Sequence, residues 1–311
     1  MSALLNVIFP VFFLILLGYV LKRKEVFRLS TAAELNRFVI YVSLPALLFD
    51  LISTMRWSQL GNLPFIAVFG LSIVGAFLLT LLIRLRQGVP AIDAILDGLA
   101  SSYSNVGFIG LPICLLAFGP KDAAPAVVAT VMTACVLFAI TIVMLESVAH
   151  ANQPLGRALK KVGLSLCRNP VVVAPLLGLT IASLGLTLPS GLQQVVHLLG
   201  AAATPCALIS IGVFLAVAPV NATRQPVTLL LLVKLLLQPA LAAVLAYWVF
   251  DLPPTVAGIA VLLAALPIGS GPFMLAELYG REASGMSRAI LLSTLGSLLT
   301  VSLLLYWLFP H

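Results

Sequence analysis

Apolar residues run from Ala3 to Leu21 without a charge, and Lys22, Arg23 and Lys24 then end the run together. Long apolar stretches divided by short polar breaks recur to the end of the chain. Reading the stretches between charged or turn-rich breaks predicts ten helices, over 3–21, 34–53, 63–85, 92–118, 124–149, 170–186, 192–217, 226–250, 255–279 and 286–309. A helix needs about 20 mainly apolar residues to cross a bilayer, and lipid admits only helices or closed barrels. Runs of this length mean an all-α helical bundle rather than a barrel. The one long gap, HANQPLGRALKKVGLSLCRN at 150–169, divides the chain into a first five-helix unit (1–149), a linker (150–169) and a second five-helix unit (170–311).

Composition agrees. The 311 residues are 61% hydrophobic and 9% charged, against roughly 25% charged in a soluble domain. This is an integral, multi-pass membrane protein with the lipid bilayer as its partner and no room for a sizeable soluble domain. The net charge of +7 does not indicate nucleic acid, because the basic residues form no patch with interleaved aromatics. They sit instead in the loops after the odd-numbered helices: Lys22, Arg23, Lys24, Arg28, Arg84, Arg86, Arg157, Lys160, Lys161, Arg168, Arg224, Arg281 and Arg288, with only Arg56 and Lys121 in the opposite loops. Lys and Arg are retained on the cytoplasmic side, so the odd loops face the cytoplasm and both termini face out. That orientation puts the glycosylation sequon at Asn221 inside, where it has no use. The first run lacks a basic leader and a small-residue cleavage site, and reads as a retained helix. Cys114, Cys135, Cys167 and Cys206 lie far apart with no CxxC, and read as packing residues.

Two stretches break the apolar rule inside predicted helices. The fourth contains SSYSNVGFIGLPI, residues 101–113, and the ninth contains LPIGSGPF, residues 266–273. Five helices is an odd number, so a repeat of the first unit must enter the membrane from the other side. Pro45 in the second helix corresponds to Pro205 in the seventh, and Pro112 in the fourth to Pro267 and Pro272 in the ninth. Proline removes a backbone donor, while Gly107, Gly110, Gly269 and Gly271 permit unwinding and close approach. Freed backbone groups cannot face lipid, so a broken helix is buried in protein or lines a watery cavity. Half-helix N-termini there present unpaired N–H groups and partial positive charge suited to a carboxylate. Asn105, with Ser104 and Ser270 beside the breaks, adds neutral polar groups. The alternative is a pair of packing kinks with Ser and Asn as interhelical glue; the breaks' corresponding positions in two halves favour binding.

At these residues the sequence resembles the auxin efflux carrier family, which includes the plant auxin exporters and bacterial permeases associated with malonate, malate and related acids. The resemblance runs through LNRFVIYVSLPALLF (35–49), SSYSNVGFIGLPI (101–113), ATPCALISIGVFLA (203–216) and LPIGSGPFMLAELYG (266–280). It implies ten transmembrane helices in two inverted five-helix repeats, a scaffold part and a transport part, and a homodimer. It also implies that helices four and nine cross at prolines, here Pro112 and Pro267, and that Asn105 meets the substrate carboxylate. The central loop lacks the long hydrophilic insertion of the long plant carriers, so the chain is similar to the bacterial branch and is expected in the inner membrane.

Ionisable residues inside the spans add candidates. Lys234, in VTLLLLVKLLLQPALAA, lies about 12 Å along its helix from Pro226. Two readings stay open: its stem snorkels to the cytoplasmic interface, or its ammonium faces the bundle interior and balances a carboxylate. Asp50, near the outer end of helix two, reads as an interfacial acid or as a coupling or structural partner near the crossing. Asp93 and Asp97 open helix four and read as interfacial carboxylates at a helix N-terminus; Glu146 and Glu277 read as interfacial anchors. His150, His197 and His311 carry no motif. Tyr103, Phe108, Phe273 and Tyr279 have two readings, contact with an apolar portion of the substrate or packing, and aromatics in a bundle more often pack. No cofactor or metal motif is present, and no P-loop, so the expected function is secondary active transport of a small organic anion by alternating access. A channel would need a charged pore ring, and a membrane-embedded enzyme acting on lipid-like substrates would need a catalytic dyad or acidic metal motif; neither is found.

Overall fold

The computed structural model describes residues 2–28, 30–54, 62–149, 163, 167–217 and 226–308. Most of the 150–169 linker, Arg56, Arg224, the Asn221 sequon, His150 and His311 lie outside the described residues. Every apolar run of the sequence is helical. The segments are α1 (Ser2–Arg23), α2 (Ala33–Ser53), α3 (Leu63–Arg86), α4 (Ala91–Ser102), α5 (Val106–Phe118), α6 (Ala124–Ala149), α7 (Pro170–Ser183), α8 (Ser190–Val217), α9 (Val227–Val249), α10 (Pro254–Ala264), α11 (Gly271–Leu278) and α12 (Ser284–Leu308). Six of these, α2, α3, α6, α8, α9 and α12, are long and apolar enough to cross a membrane unaided. The fourth predicted helix is two pieces, α4 and α5, and the ninth is two pieces, α10 and α11.

Packing sorts the helices into two groups. In one, α1 lies against α8, and α2 against α7 and the first half of α8. Glycine permits these close approaches: a Cβ on Gly212 would overlap the backbone of Ile15, and one on Gly18 the backbone of Ile209. Gly178 of α7 and Gly200 of α8 let the backbone of α2 come closer than an ordinary Cβ contact, with Phe49 O and Leu47 Cα each 3.0 Å from a built Cβ. Small residues serve this purpose in lipid, where helices associate by close contact rather than by hydrophobic exclusion from water. In the second group, α3 packs on α4 and α10, α9 on α3 and α10, and α4 on α6 and α11. The surface facing outward is apolar, with Leu63, Leu176, Trp248, Leu299 and Leu303 strongly exposed, as a bilayer solvent requires.

Three buried prolines have a common local solution. Wide π-helical turns at Val39–Ser43, Val106–Gly110 and Val233–Leu237 stand two residues ahead of Pro45, Pro112 and Pro239. A proline ring collides with the carbonyl four residues back, here Tyr41, Phe108 and Leu235, each inside its turn. The extra residue in the turn moves that carbonyl aside. This corrects one expectation: Pro112 does not break the fourth helix. It is buried inside α5 behind a π turn that absorbs it, and the chain breaks earlier, where Tyr103 turns extended (φ −84°, ψ 91°). At Pro205 the chain instead takes a single turn residue, Ala202, between the two halves of α8.

Candidate substrate-binding site

The two breaks meet. Ser104 and Ile268 form an isolated antiparallel bridge, in which Asn105 N–H donates to Pro267 O (2.9 Å) and Gly269 N–H donates to Tyr103 O (3.0 Å). Ile268 N–H donates to Ser293 Oγ of α12 at 3.1 Å. Backbone groups released by two broken helices therefore satisfy each other, which lets both breaks lie at membrane depth. Pro267 stands at this crossing and contributes the carbonyl.

The crossing has two electrically different sides. The C-terminal ends of α4 and α10 carry carbonyls without intrahelical donors and about half a negative charge each. Lys234 and Gln238 cover them. Lys234 is fully buried, and its Nζ donates to Ala264 O at 2.6 Å, to Gln238 Oε1 at 2.7 Å and to Ser104 Oγ at 2.8 Å. Gln238 Nε2 donates a longer bond to Ser102 O, at 3.4 Å. The ammonium is turned into the crossing and reaches no interface.

The N-terminal ends of α5 and α11 face the other way, onto a cavity of about 140 Å³. One wall is Tyr103 to Phe108, with Ser270, Gly271 and Met274; the opposite wall includes Ile40, Leu44, Thr130, Phe138, Asn169 and Val171. A water needs roughly 10–15 Å³ by this measure, so a small acid fits together with some of its hydration. The N–H groups of Gly107, Phe108, Gly271 and Phe273 belong to first turns and lack intrahelical acceptors. Asn105 stands at the N-cap position of α5, yet its side chain makes no capping bond; it lies half-buried on the cavity wall. Walls come from both packing groups, α2 and α7 from one and α6 and α11 from the other, with α5 packed against both.

Of the sequence candidates, Ser104, Asn105, Gly107, Ser270 and Gly271 line this cavity. Gly110 and Gly269 lie buried behind the wall. A Cβ on Gly110 would press into Leu266 at 2.5 Å, and one on Gly269 or Gly271 would sit 2.8 or 2.7 Å from the Tyr103 ring. The two ninth-helix glycines thus make room for Tyr103, which also meets Phe138 edge-on. Pro45 and Pro205 are not on the cavity wall. Asp50 pairs with His197, Oδ2 to Nδ1 at 3.1 Å, joining α2 to α8.

Asp97 is a second correction. It reads from sequence as interfacial, but it is 1% exposed and accepts from Arg84 Nε at 2.8 Å. The α3–α4 packing closes over it, and one of its oxygens, Oδ1, has no hydrogen-bond partner. Asp93 pairs with Arg281, which lies past the end of α11 (Nε to Oδ1, 2.7 Å). That bond raises the Arg281 pKa above its ordinary value. Tyr279 donates to Glu146 at 2.9 Å. Residues the sequence reading passed over are Thr130 and Asn169 on the cavity wall, Gln238 at the crossing, and Ser293 behind it. Asn169 was detectable as an Asn-Pro helix start: it caps α7 through Val171 N–H at 2.9 Å.

The family model for a membrane transport protein matches residues 3–305. The chain is 30% identical over 312 aligned positions to the "Putative malonate transporter" of Rhizobium meliloti (strain 1021), covering 98% of this chain and 96% of the relative. An "Uncharacterized transporter" of Methanothermobacter thermautotrophicus is 27% identical, with 95% of each chain covered. "Auxin efflux carrier component 8" of Arabidopsis thaliana is 31% identical over 150 positions, covering 46% of this chain and 41% of the relative.

Proposed function

The chain belongs to this membrane transport protein family, that of the auxin efflux carriers, and from that membership we propose that it is a secondary active carrier of small organic anions, dicarboxylates such as malonate or malate, or auxin-like carboxylates. It is a transporter and not an enzyme. The observation that carries the substrate class is the cavity on which two helix N-termini open beside the uncapped Asn105 amide. Dipole ends and neutral donors hold a carboxylate without placing a fixed charge in the binding space.

The mechanism we propose is alternating access by one packing group moving against the other, with the substrate held at their boundary. Two inverted five-helix repeats, 1–149 and 170–311, joined by a cytoplasmic linker, account for the arrangement. Supporting this, each packing group takes members from both halves: α1 and α2 with α7 and α8, and α3, α4 and α6 with α9 to α12, while α5 packs on α1 and α8 as well as on α6. The loop charges support an inner-membrane orientation with both termini outside. Substrate or ion gradients drive net movement.

Thermal unfolding of the purified protein with malonate, malate, succinate or indole-3-acetate tests the reading. A ligand that binds only the folded state raises stability by RT ln(1 + [L]/Kd). One acid class is expected to shift the midpoint in a concentration-dependent way, and Asn105→Ala to reduce the shift at least tenfold in apparent affinity while leaving the unliganded midpoint nearly unchanged. A shift that persists intact in Asn105→Ala removes the asparagine from the site. No saturable counterflow of the shifting acid in proteoliposomes removes the carrier mechanism.

A further inference from the structure

The Lys234 ammonium lacks the partner that a buried cation ordinarily has. Among the described residues no carboxylate contacts it; its three donors go to three neutral oxygens from three different places, a helix-terminal carbonyl (Ala264), a side-chain amide (Gln238) and a hydroxyl at the break of the fourth helix (Ser104). An uncompensated charge at this depth is costly. The compensation on hand is electrostatic: α4 and α10 both end at this point, each C-terminus being worth about −0.5 elementary charge, together about one negative charge. One ammonium matches that sum, and its three N–H donors match the three oxygens.

We propose that Lys234 is a tethered cation: its ammonium fills an oxygen-lined position built for one positive charge at the crossing, and removing the side chain leaves a site for a free monovalent cation such as methylammonium or sodium. The position lies behind Ser104, whose hydroxyl bonds Lys234 on one side while the residue lines the cavity on the other. The cation therefore ties the C-terminal ends of α4 and α10 together and leaves the N-terminal ends of α5 and α11 to the anion. This assignment does not depend on which acid is carried, or on the chain carrying an acid at all.

The test is the thermal midpoint of purified Lys234→Ala in choline, sodium, ammonium and methylammonium chloride at equal ionic strength, beside wild type and Lys234→Met. Wild type is expected to unfold at one midpoint in all four salts. Lys234→Ala is expected to unfold several degrees lower in choline and to recover in a saturable way with sodium, ammonium or methylammonium. Lys234→Met, whose apolar stem fills the position without a donor, is expected to be destabilised and insensitive to the salt. If Lys234→Ala cannot be purified in choline, recovery of folded protein across the four salts becomes the readout. Recovery confined to the small cations supports the proposal. Equal recovery in all four salts, or in none, overturns it, as does a Lys234→Met variant that unfolds with wild type.

Discussion

Tyr103 shows how a single side chain ties the crossing to the cavity. Its carbonyl takes part in the bridge to Gly269, while its ring lies over Gly269 and Gly271 and forms cavity wall. The glycines in the two breaks therefore do different things. A methyl group on Gly271 has nowhere to go except into the Tyr103 ring, at 2.7 Å, and overpacking of this kind costs about 1–3 kcal/mol. A methyl group on Gly107 meets Leu44 and Thr130 at 3.5 Å, ordinary contact, and alanine is the better helix former by up to about 1 kcal/mol. Gly271→Ala is thus expected to lower the thermal midpoint, and Gly107→Ala to leave it unchanged or raise it while weakening anion binding, since its methyl group enters the cavity. Thermal unfolding with and without the stabilising acid separates the two effects; equal loss of stability in both variants would contradict the geometry. Sequence marks all four glycines alike, because the neighbour that distinguishes them comes from a different helix.

Between elements, the Arg84–Asp97 pair fastens α3 to α4, with side chains only 11% and 2% exposed. Removing one partner of such a pair strands the other charge away from water and costs on the order of 3–5 kcal/mol, whereas removing both relieves much of the loss. Arg84→Ala is expected to be strongly destabilised, and Arg84→Ala with Asp97→Ala to be more stable than the single variant, as read from unfolding midpoints; simple additivity of the two changes would mean that the pair is not coupled. The legibility of elements divides along the same line. Apolar length and polar breaks are local properties, so the helices, the broken fourth and ninth among them, can be read directly. What Pro112 does depends on the π turn at Val106–Gly110, and π turns leave no composition of their own. The break consequently falls at Tyr103–Asn105 and not at the proline. Asp97 looks like an interfacial first-turn acid until α3 covers it, and Gln238 looks like a polar residue in a greasy helix until two helix C-termini arrive beside it. Local pattern places residues along helices; burial is decided by helices far away in sequence.

The cavity sits on the boundary between the two packing groups, and this gives the proposed movement its clearest mechanical consequence. Leu44 of α2 and Gly107 of α5 face each other across that boundary, with a Cβ built on Gly107 3.5 Å from the Leu44 side chain. If the groups move past one another during each cycle, this contact must be made and broken every time the binding space changes sides. A short bifunctional thiol reagent applied to Leu44→Cys/Gly107→Cys, in a background with the four native cysteines replaced, is therefore expected to stop counterflow in proteoliposomes, and reductive release of the reagent to restore it. Each single-cysteine variant, which the reagent labels at one end only, measures what occupancy of the cavity alone costs, and the double variant is expected to lose more than either. Counterflow that continues through a fully cross-linked double variant would require the two groups to stay fixed during transport, and the substrate would then have to pass along a path that opens without their relative motion.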